Sequence, residues 1–468
     1  MPISLSRKAC RATAWYPLAL LALLAACGPK PEPALSGLDL PGRFLDPAAA
    51  APVRWPEPEW WRGFNAPALD TLMQAAMAGN FDLAAAAARV RQADAQLRIA
   101  GAALLPTLAV DSGVTQSRST ASGLSRNRNA TRYDATLSAS YEIDFWGRNS
   151  ASAEAAAQNA RATRFDAGTV LLTTEASVAN TYFNLLAAEE ELRVQEANLD
   201  AARRTLGVIR QQVNFGVATG LDLAQQETVV AQVEANIPGL RQSAAQNRNA
   251  LALLTGQPPQ SFTIGAGAFD RLRIPEAAPG QPADLLARRP DVLAAEAGLA
   301  AANANVAAAR AALLPSISLS AQGGFQSAAL GTLLRPEAQF FSLVAGLAQT
   351  IFDGGARRGQ VALSQAQAEE LLIEYRRAIV AALQDTEDAL VALRETTAQE
   401  ALRAEANARA ERAFGIAEAQ LRAGTINLIT LLNTQQSLFS TRVSLVQARL
   451  ARLQAAVALF RALGGGWR

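Results

Sequence analysis

Few side chains in this sequence could carry covalent or acid–base chemistry. It holds two cysteines, Cys10 and Cys27, and no histidine. Without imidazole there is no side chain that ordinarily titrates near neutrality and no histidine metal ligand. No serine-centred strand-to-helix elbow and no phosphate-cradling glycine loop occurs, so nothing in the sequence supports an enzyme or calls for a cofactor. The cysteine with chemistry left to do is Cys27. It closes the apolar run PLALLALLAAC, which follows Arg7, Lys8 and Arg11 with no acid among them, the pattern of a secretory signal. Cys10 lies in the segment that such a signal loses, so the exported chain has no second thiol and no internal disulfide.

Two glycine-centred turns carry the remaining candidates. FGVATGLDL holds Gly216, Thr219 and Asp222, and RAGTINLITLLN holds Arg422, Gly424, Asn427, Thr430 and Asn433. Glycine at such a place suits the positive φ of a helix C-terminal cap, and Asp222 suits a helix start. The turns answer each other at a spacing of about 208 residues, which makes them part of a longer duplication. NFDLAAAAARVRQADAQLRIAGAALLP, from Asn80, matches RPDVLAAEAGLAAANANVAAARAALLP, from Arg289, without a gap, and IDFWGR near Phe145 answers TIFDGGAR near Phe352.

Each copy must position its turn with long helices. Residues 149–214 contain no proline, and Leu171, Val178, Leu185, Leu192, Leu199, Leu206 and Val213 recur every seven residues, a coiled-coil pattern. At 1.5 Å per residue that helix runs on the order of 100 Å. Beyond FGVATG a second stripe returns through Leu223, Val230, Ile237, Ala244 and Leu251, so the two helices are antiparallel. Pro238 inside the returning helix predicts a kink or interruption. The second copy repeats the plan over about 355–463. Arg288, Arg289, Pro290 and Asp291 read as a helix start, with proline near the first helical position and an acid beside it.

Between the helical segments the period changes to two. In YDATLSASYEIDFW, Tyr133, Ala135, Leu137, Ala139, Tyr141, Ile143 and Phe145 alternate with Asp134, Thr136, Ser138, Ser140, Glu142 and Asp144. PTLAVDSGV, SISLSAQGGF and, with weak alternation, FFSLVAGLAQTIF supply three more segments, so strands are expected over about 106–117, 131–146, 315–325 and 339–353. The resulting organisation is a signal at 1–26, a Pro- and Gly-rich tether at 27–65, a first repeat at 66–281 and a second at 282–468. No uncharged apolar run of 18 residues follows the signal. If the chain crosses a membrane it does so with strands, and since lipid forbids an open sheet edge and four strands cannot close a barrel, it must oligomerise.

Composition agrees. Of 468 residues half are apolar, much of that alanine, and the charge of +2 becomes about −1 once Arg7, Lys8 and Arg11 are removed. Apart from Lys8 and Lys30 every basic residue is arginine, and nothing favours a nucleic-acid partner.

Leu24-Ala25-Ala26-Cys27 resembles the lipobox of bacterial lipoproteins, which implies that Cys27 is acylated as the first mature residue. Together with the duplicated hairpins, LLARRPDV at Leu285–Val292, LLTGQPP at Leu253–Pro259 and the GxxTxLDL turn, it resembles the lipoprotein branch of the TolC-like outer-membrane efflux proteins over about residues 34–467. The resemblance implies a mainly α fold with β, in which a homotrimer joins a 12-stranded β-barrel to a 12-helix α-barrel. It implies a lipid-anchored outer-membrane duct reaching into the periplasm, which meets a periplasmic adaptor and an inner-membrane transporter of the resistance-nodulation-division type and passes drugs and other toxic small molecules. It further implies a periplasmic gate at Arg422, Asn433, Thr430 and Asp222, and adaptor docking at the turns of Gly216, Thr219, Gly424 and Asn427. Asn433 stands where relatives carry an aspartate and Thr430 where some carry another acid, a departure that removes the charge such a gate would use. A type I protein-secretion duct and a periplasmic coiled-coil scaffold lipoprotein are the competing readings; a scaffold would not need amphipathic strand pairs.

Overall fold

Both copies build the same two helices to the same length. In the computed structural model, the described residues are 37–45, 55–119, 128–265, 267–277 and 280–467; the signal, Cys27 and most of the tether fall outside them. Helices α1 (Pro67–Gly79) and α2 (Phe81–Ala102) lead into strand β1 (Thr107–Ser119), which pairs with β2 (Arg128–Ile143). Helix α3 (Arg148–Asn214) and α4 (Gly220–Leu254) then form the first hairpin. The second copy follows with α5 (Pro290–Ala311), β3 (Ser316–Ser327), β4 (Gln339–Ala348), α6 (Ala356–Arg422) and α7 (Leu428–Ala462). The outgoing helices α3 and α6 each have 67 residues, and the returning helices α4 and α7 each have 35.

Helix becomes strand at the repeated ALLP. The last carbonyls of α2 and α5 are taken by tight turns, such as Leu105 N–H on Ala102 and Leu314 N–H on Ala311. Pro106 and Pro315 then stop the helix and turn the chain to extended backbone. Strand becomes helix again at the matching Asp144 and Asp353. The Asp144 carboxylate accepts the N–H groups of Asn149 and Ser150 at 2.9 and 2.7 Å, and Asp353 accepts those of Gly355 and Arg357 at 2.9 and 3.1 Å. Burial pushes Asp144 upward, but these N–H groups outweigh it and hold the carboxyl below its ordinary value; Asp353 is lowered chiefly by the Arg357 N–H. Each carboxylate thus satisfies free donors at a helix start.

The four strands form one antiparallel sheet in the order β1-β2-β3-β4. Beneath it α2, α3, α5 and α6 pack side by side in the same order, so every strand continues a helix without a crossing of the chain. Register sorts the side chains by face. Leu108, Val110 and Val114 lie opposite Ala139, Leu137 and Tyr133, and Leu137, Tyr141 and Ile143 lie opposite Gly323, Leu319 and Ile317. The other face carries Asp111, Thr136, Ser138, Ser140, Glu142, Ser318, Ser320 and Gln322. Leu108, Val110, Val114 and Leu347 are well exposed on the apolar face, as a lipid-facing surface requires. Strand β4, whose sequence alternates poorly, pairs with β3 from Ser316↔Ala348 to Phe325↔Gln339.

The interruption expected at Pro238 is corrected. Helix α4 runs through Pro238 without interruption. The ring lies on the exposed side, while Val233 and Ile237 pack with Leu199 on the other, so tertiary contacts hold the helix where one backbone donor is missing. The helices α5 and α7 match a membrane span by length and mean hydropathy, 1.3 for both, although each carries charged residues and neither holds an uncharged apolar run of 18. Both are packed along other helices, α5 on α3 and α6, and α7 on α6 and α3, so their apolar character serves the helical bundle.

The main core lies where the hairpins meet the short N-terminal elements. Trp60, Trp61, Phe64, Leu69, Met73, Tyr182, Phe183, Leu251, Leu453 and Phe460 form one buried cluster. Trp60 stacks on Phe460 with ring centroids 5.1 Å apart, and its Nε1 donates to Glu175 at 3.2 Å. Glu175 is 3% exposed, and burial pushes its carboxyl up to about 7 against the Trp60 hydrogen bond. The folded state therefore holds this proton more tightly than the unfolded chain, and stability falls as pH rises from about 4.5 to about 7. Glu175→Gln keeps an acceptor for Trp60 and removes the ionisation. Stability of the detergent-solubilised protein should decline from pH 5 to pH 8 in the wild type, by an amount on the order of 3 kcal/mol from Glu175, and decline clearly less in the variant. Parallel curves would contradict the assignment.

Candidate functional site

The candidate residues gather at the far end of the two hairpins, and most are occupied in ending one helix and starting the next. Gly216 and Gly424 have φ of 73° and 71°. Gly216 N–H bonds Val213 and Val217 N–H bonds Gln212, while Gly424 N–H bonds Leu421 and Thr425 N–H bonds Gln420. Both turns are complete Schellman caps, and a side chain at either glycine would be strained.

The helix starts use different residues for the same work. Thr219 Oγ1 accepts the Asp222 N–H at 3.2 Å, and Asp222 Oδ2 accepts the Thr219 N–H and hydroxyl, both at 2.8 Å. The Thr219 N–H is the main cause that holds Asp222 below its ordinary pKa. In the second turn Asn427 Oδ1 accepts the Thr430 N–H at 3.0 Å and its hydroxyl at 2.8 Å. Arg422 bonds Glu418, one turn back on its own helix, at 2.6 Å. Thus Arg422 and Asp222 are both engaged inside their own hairpins, and no ion pair joins the two turns among the described residues. Asn433 and Thr430 are exposed. So are Phe215, Val217, Leu221 and Ile429, at 82%, 75%, 66% and 58%, which leaves an apolar rim around the capped ends.

Above the rim, α4 and α7 flank a groove of about 820 Å³ whose lining includes Gln225, Val229 and Gln232 on one side and Leu432, Asn433 and Gln436 on the other. Among the described residues no charged side chain lines it. Behind it lies a polar layer that the turns do not announce. Gln226 Nε2 donates to the Ala202 carbonyl at 2.9 Å and lies 3.5 Å from Gln435 Oε1, while Gln435 Nε2 is 3.5 Å from Thr205 Oγ1. Gln226 and Gln435 are fully buried, and Gln226 Oε1 has no partner among the described residues. Farther up, Arg442 pairs with Glu411 on α6 and donates to Asn198 on α3 at 3.1 Å. These links tie the second hairpin to the first. The sequence signal for the lower one is the paired glutamine, Gln225-Gln226 and Gln435-Gln436, early in each returning helix. Arg289 is structural: it is buried, pairs with Asp291 at 2.7 Å and Asp385 at 2.9 Å, and donates to the Ala382 and Ala462 carbonyls. Among the described residues no cluster has the makings of a metal site.

The two halves also match a family model separately. The model described as "Outer membrane efflux protein" covers residues 72–257 and again 282–465. The chain belongs to the outer membrane efflux protein family. The pyoverdine export outer membrane protein OpmQ of Pseudomonas putida strain KT2440 is 40% identical over 454 residues, covering 95% of this chain and 96% of that protein. The probable efflux pump outer membrane protein TtgC of the same strain is 31% identical, covering 91% and 89%. Among solved structures, the outer-membrane channel OprN superposes with a TM-score of 0.88 at 27% identity, covering 94% of this chain and 99% of that one, and CusC with 0.84 at 27% identity, covering 94% and 100%. This chain is accordingly an outer-membrane efflux duct of a Gram-negative bacterium, with the TolC-like fold in which a trimeric barrel continues into a helical tunnel.

Proposed function

We propose that the duct is passive and works as the outer component of a three-part export assembly. A periplasmic adaptor meets the tip at the turns of Gly216, Thr219, Gly424 and Asn427, and an inner-membrane transporter supplies the energy; the duct itself performs no catalytic step. The exposed Phe215, Val217, Leu221 and Ile429 support docking there, because they surround turns that the Schellman and N-terminal caps hold rigid. Acylation of Cys27 anchors the chain to the outer membrane, and the tether lets the trimer seat in the bilayer.

The cargo is a small molecule, with a pyoverdine-type siderophore placed ahead of solvents and antibiotics. What carries this choice is relative likeness: 40% identity to pyoverdine exporters from two Pseudomonas species against 31% and 30% to toluene efflux components. A Pseudomonas putida strain lacking its own OpmQ and carrying this chain should regain pyoverdine export. Periplasmic retention of pyoverdine, with the protein present in the outer membrane, would contradict the cargo assignment.

Asn433, Thr430, Arg422 and Asp222 form the periplasmic gate, closed by neutral hydrogen bonding and packing rather than by a carboxylate ring. Support comes from the uncharged groove at Asn433 and from Arg422 and Asp222 being engaged within their own helices. Asn433→Asp should make single channels in planar bilayers more cation-selective and sensitive to divalent cations, since three added carboxylates would concentrate cations near the axis. Unchanged traces would remove Asn433 from the gate.

A further inference from the structure

The strand register exposes two large apolar residues, Phe340 and Val344, that break the rule of their own face. Along the polar face the paired positions are Asp111↔Thr136↔Gly324↔Phe340, then Ser138↔Gln322↔Ser342, then Ser140↔Ser320↔Val344, then Glu142↔Ser318↔Gly346. Apart from Phe340 and Val344, these positions hold hydroxyls, amides, acids and glycines, as a surface lining water requires. Phe340 is the aromatic exception among these described positions. Its neighbour Phe341 belongs to the apolar face, where its Cδ2 lies 3.5 Å from the place a Cβ at Gly323 would occupy. Phe341 thus has a lipid-facing and packing role, while Phe340, half-buried, stands in a row whose adjacent members are glycine and threonine.

We propose that Phe340 is a cargo-contact site of the barrel lumen, which takes planar aromatic groups on the molecules that pass. The proposal rests on the chain being an exit duct. Phe340 lies at the start of β4, next to the Ser327–Gln339 connection and therefore at the end of the sheet farthest from the helices. In the trimer three copies stand at one height near the outward mouth. Half-buried in a row with Gly324 and Thr136, the ring keeps part of its surface open, and an aromatic face there gains from stacking what hydroxyls cannot offer. The contact tolerates cargo of different shapes, since every flat aromatic group has a face to present, and it acts on the last stage of passage.

The test is single-channel recording of the full-length trimer in planar bilayers, with N-acetyltryptophanamide as the aromatic probe and N-acetylleucinamide as its aliphatic control. Wild-type channels should show excess current noise with the aromatic amide over the aliphatic one. Phe340→Leu, which keeps an apolar side chain of similar bulk, should shorten the interruptions by about threefold to tenfold. Phe340→Tyr should retain them, and Phe341→Leu, on the lipid face, should leave them unchanged. Equal noise with the two amides in the wild type overturns the proposal, as does a Phe340→Leu channel that keeps the wild-type response or a Phe341→Leu channel that loses it. Wild-type protein that forms no conducting channel would instead overturn the duct reading itself, so the two failures are distinct.

Discussion

A bilayer leaves no backbone N–H or C=O without a protein partner, and a four-stranded sheet has two edges. That conflict governs the rest of this molecule. Strand order β1-β2-β3-β4 puts β1 and β4 at the edges, and their faces are sorted into lipid-facing and water-facing sets, so the sheet is a membrane element that cannot exist alone. Closure has to come from other copies. Three copies supply twelve strands, and because α2, α3, α5 and α6 follow the order of the strands they continue, closing the barrel also closes the tunnel beneath it.

Duplication is what makes this continuity possible. Each copy contributes one passage up into the sheet and one back down, and each passage is fixed locally: proline after ALLP on the way up, a carboxylate over free N–H groups on the way down. At the other end the same economy of local chemistry shapes the tip. Glycine caps stop the long helices and side-chain caps start the returning ones, which consumes Thr219, Asp222, Asn427 and Thr430. Around these capped turns lie an apolar rim and a neutral groove. The ties between hairpins, through Gln226, Gln435 and Arg442, lie higher up, away from the turns.

Much of this was legible in the residue pattern because it depends on local or periodic physics. The seven-residue stripe through Val178, Leu185, Leu199 and Leu206 follows the buried side of α3, and Gly216 and Gly424 carry the positive φ that their place in the turns demanded. Alternation marked β2 clearly, since each face has one environment. It marked β4 poorly, because Phe340 and Val344 put apolar side chains on the water face, and only pairing with β3 reveals which face they share. Pro238 misled for a related reason: propensity is a local penalty, and the packing of Val233 and Ile237 exceeds it. The buried amides and the Arg442 link were invisible as a set, since Asn198, Gln226, Gln435 and Arg442 meet only after two hairpins fold against each other. Arg422 carried a gate role by resemblance, yet its bond to Glu418 is a one-turn contact that the spacing alone contained.

Barrel and tunnel both depend on closure by other copies. Native mass spectrometry of the detergent-extracted mature protein, with negative-stain images of the same sample, tests this directly. The predicted result is an elongated trimer carrying the added mass of acyl chains on each copy. A monomer that stays soluble without detergent would contradict it, for then the exposed apolar face and both sheet edges would have to be compatible with water.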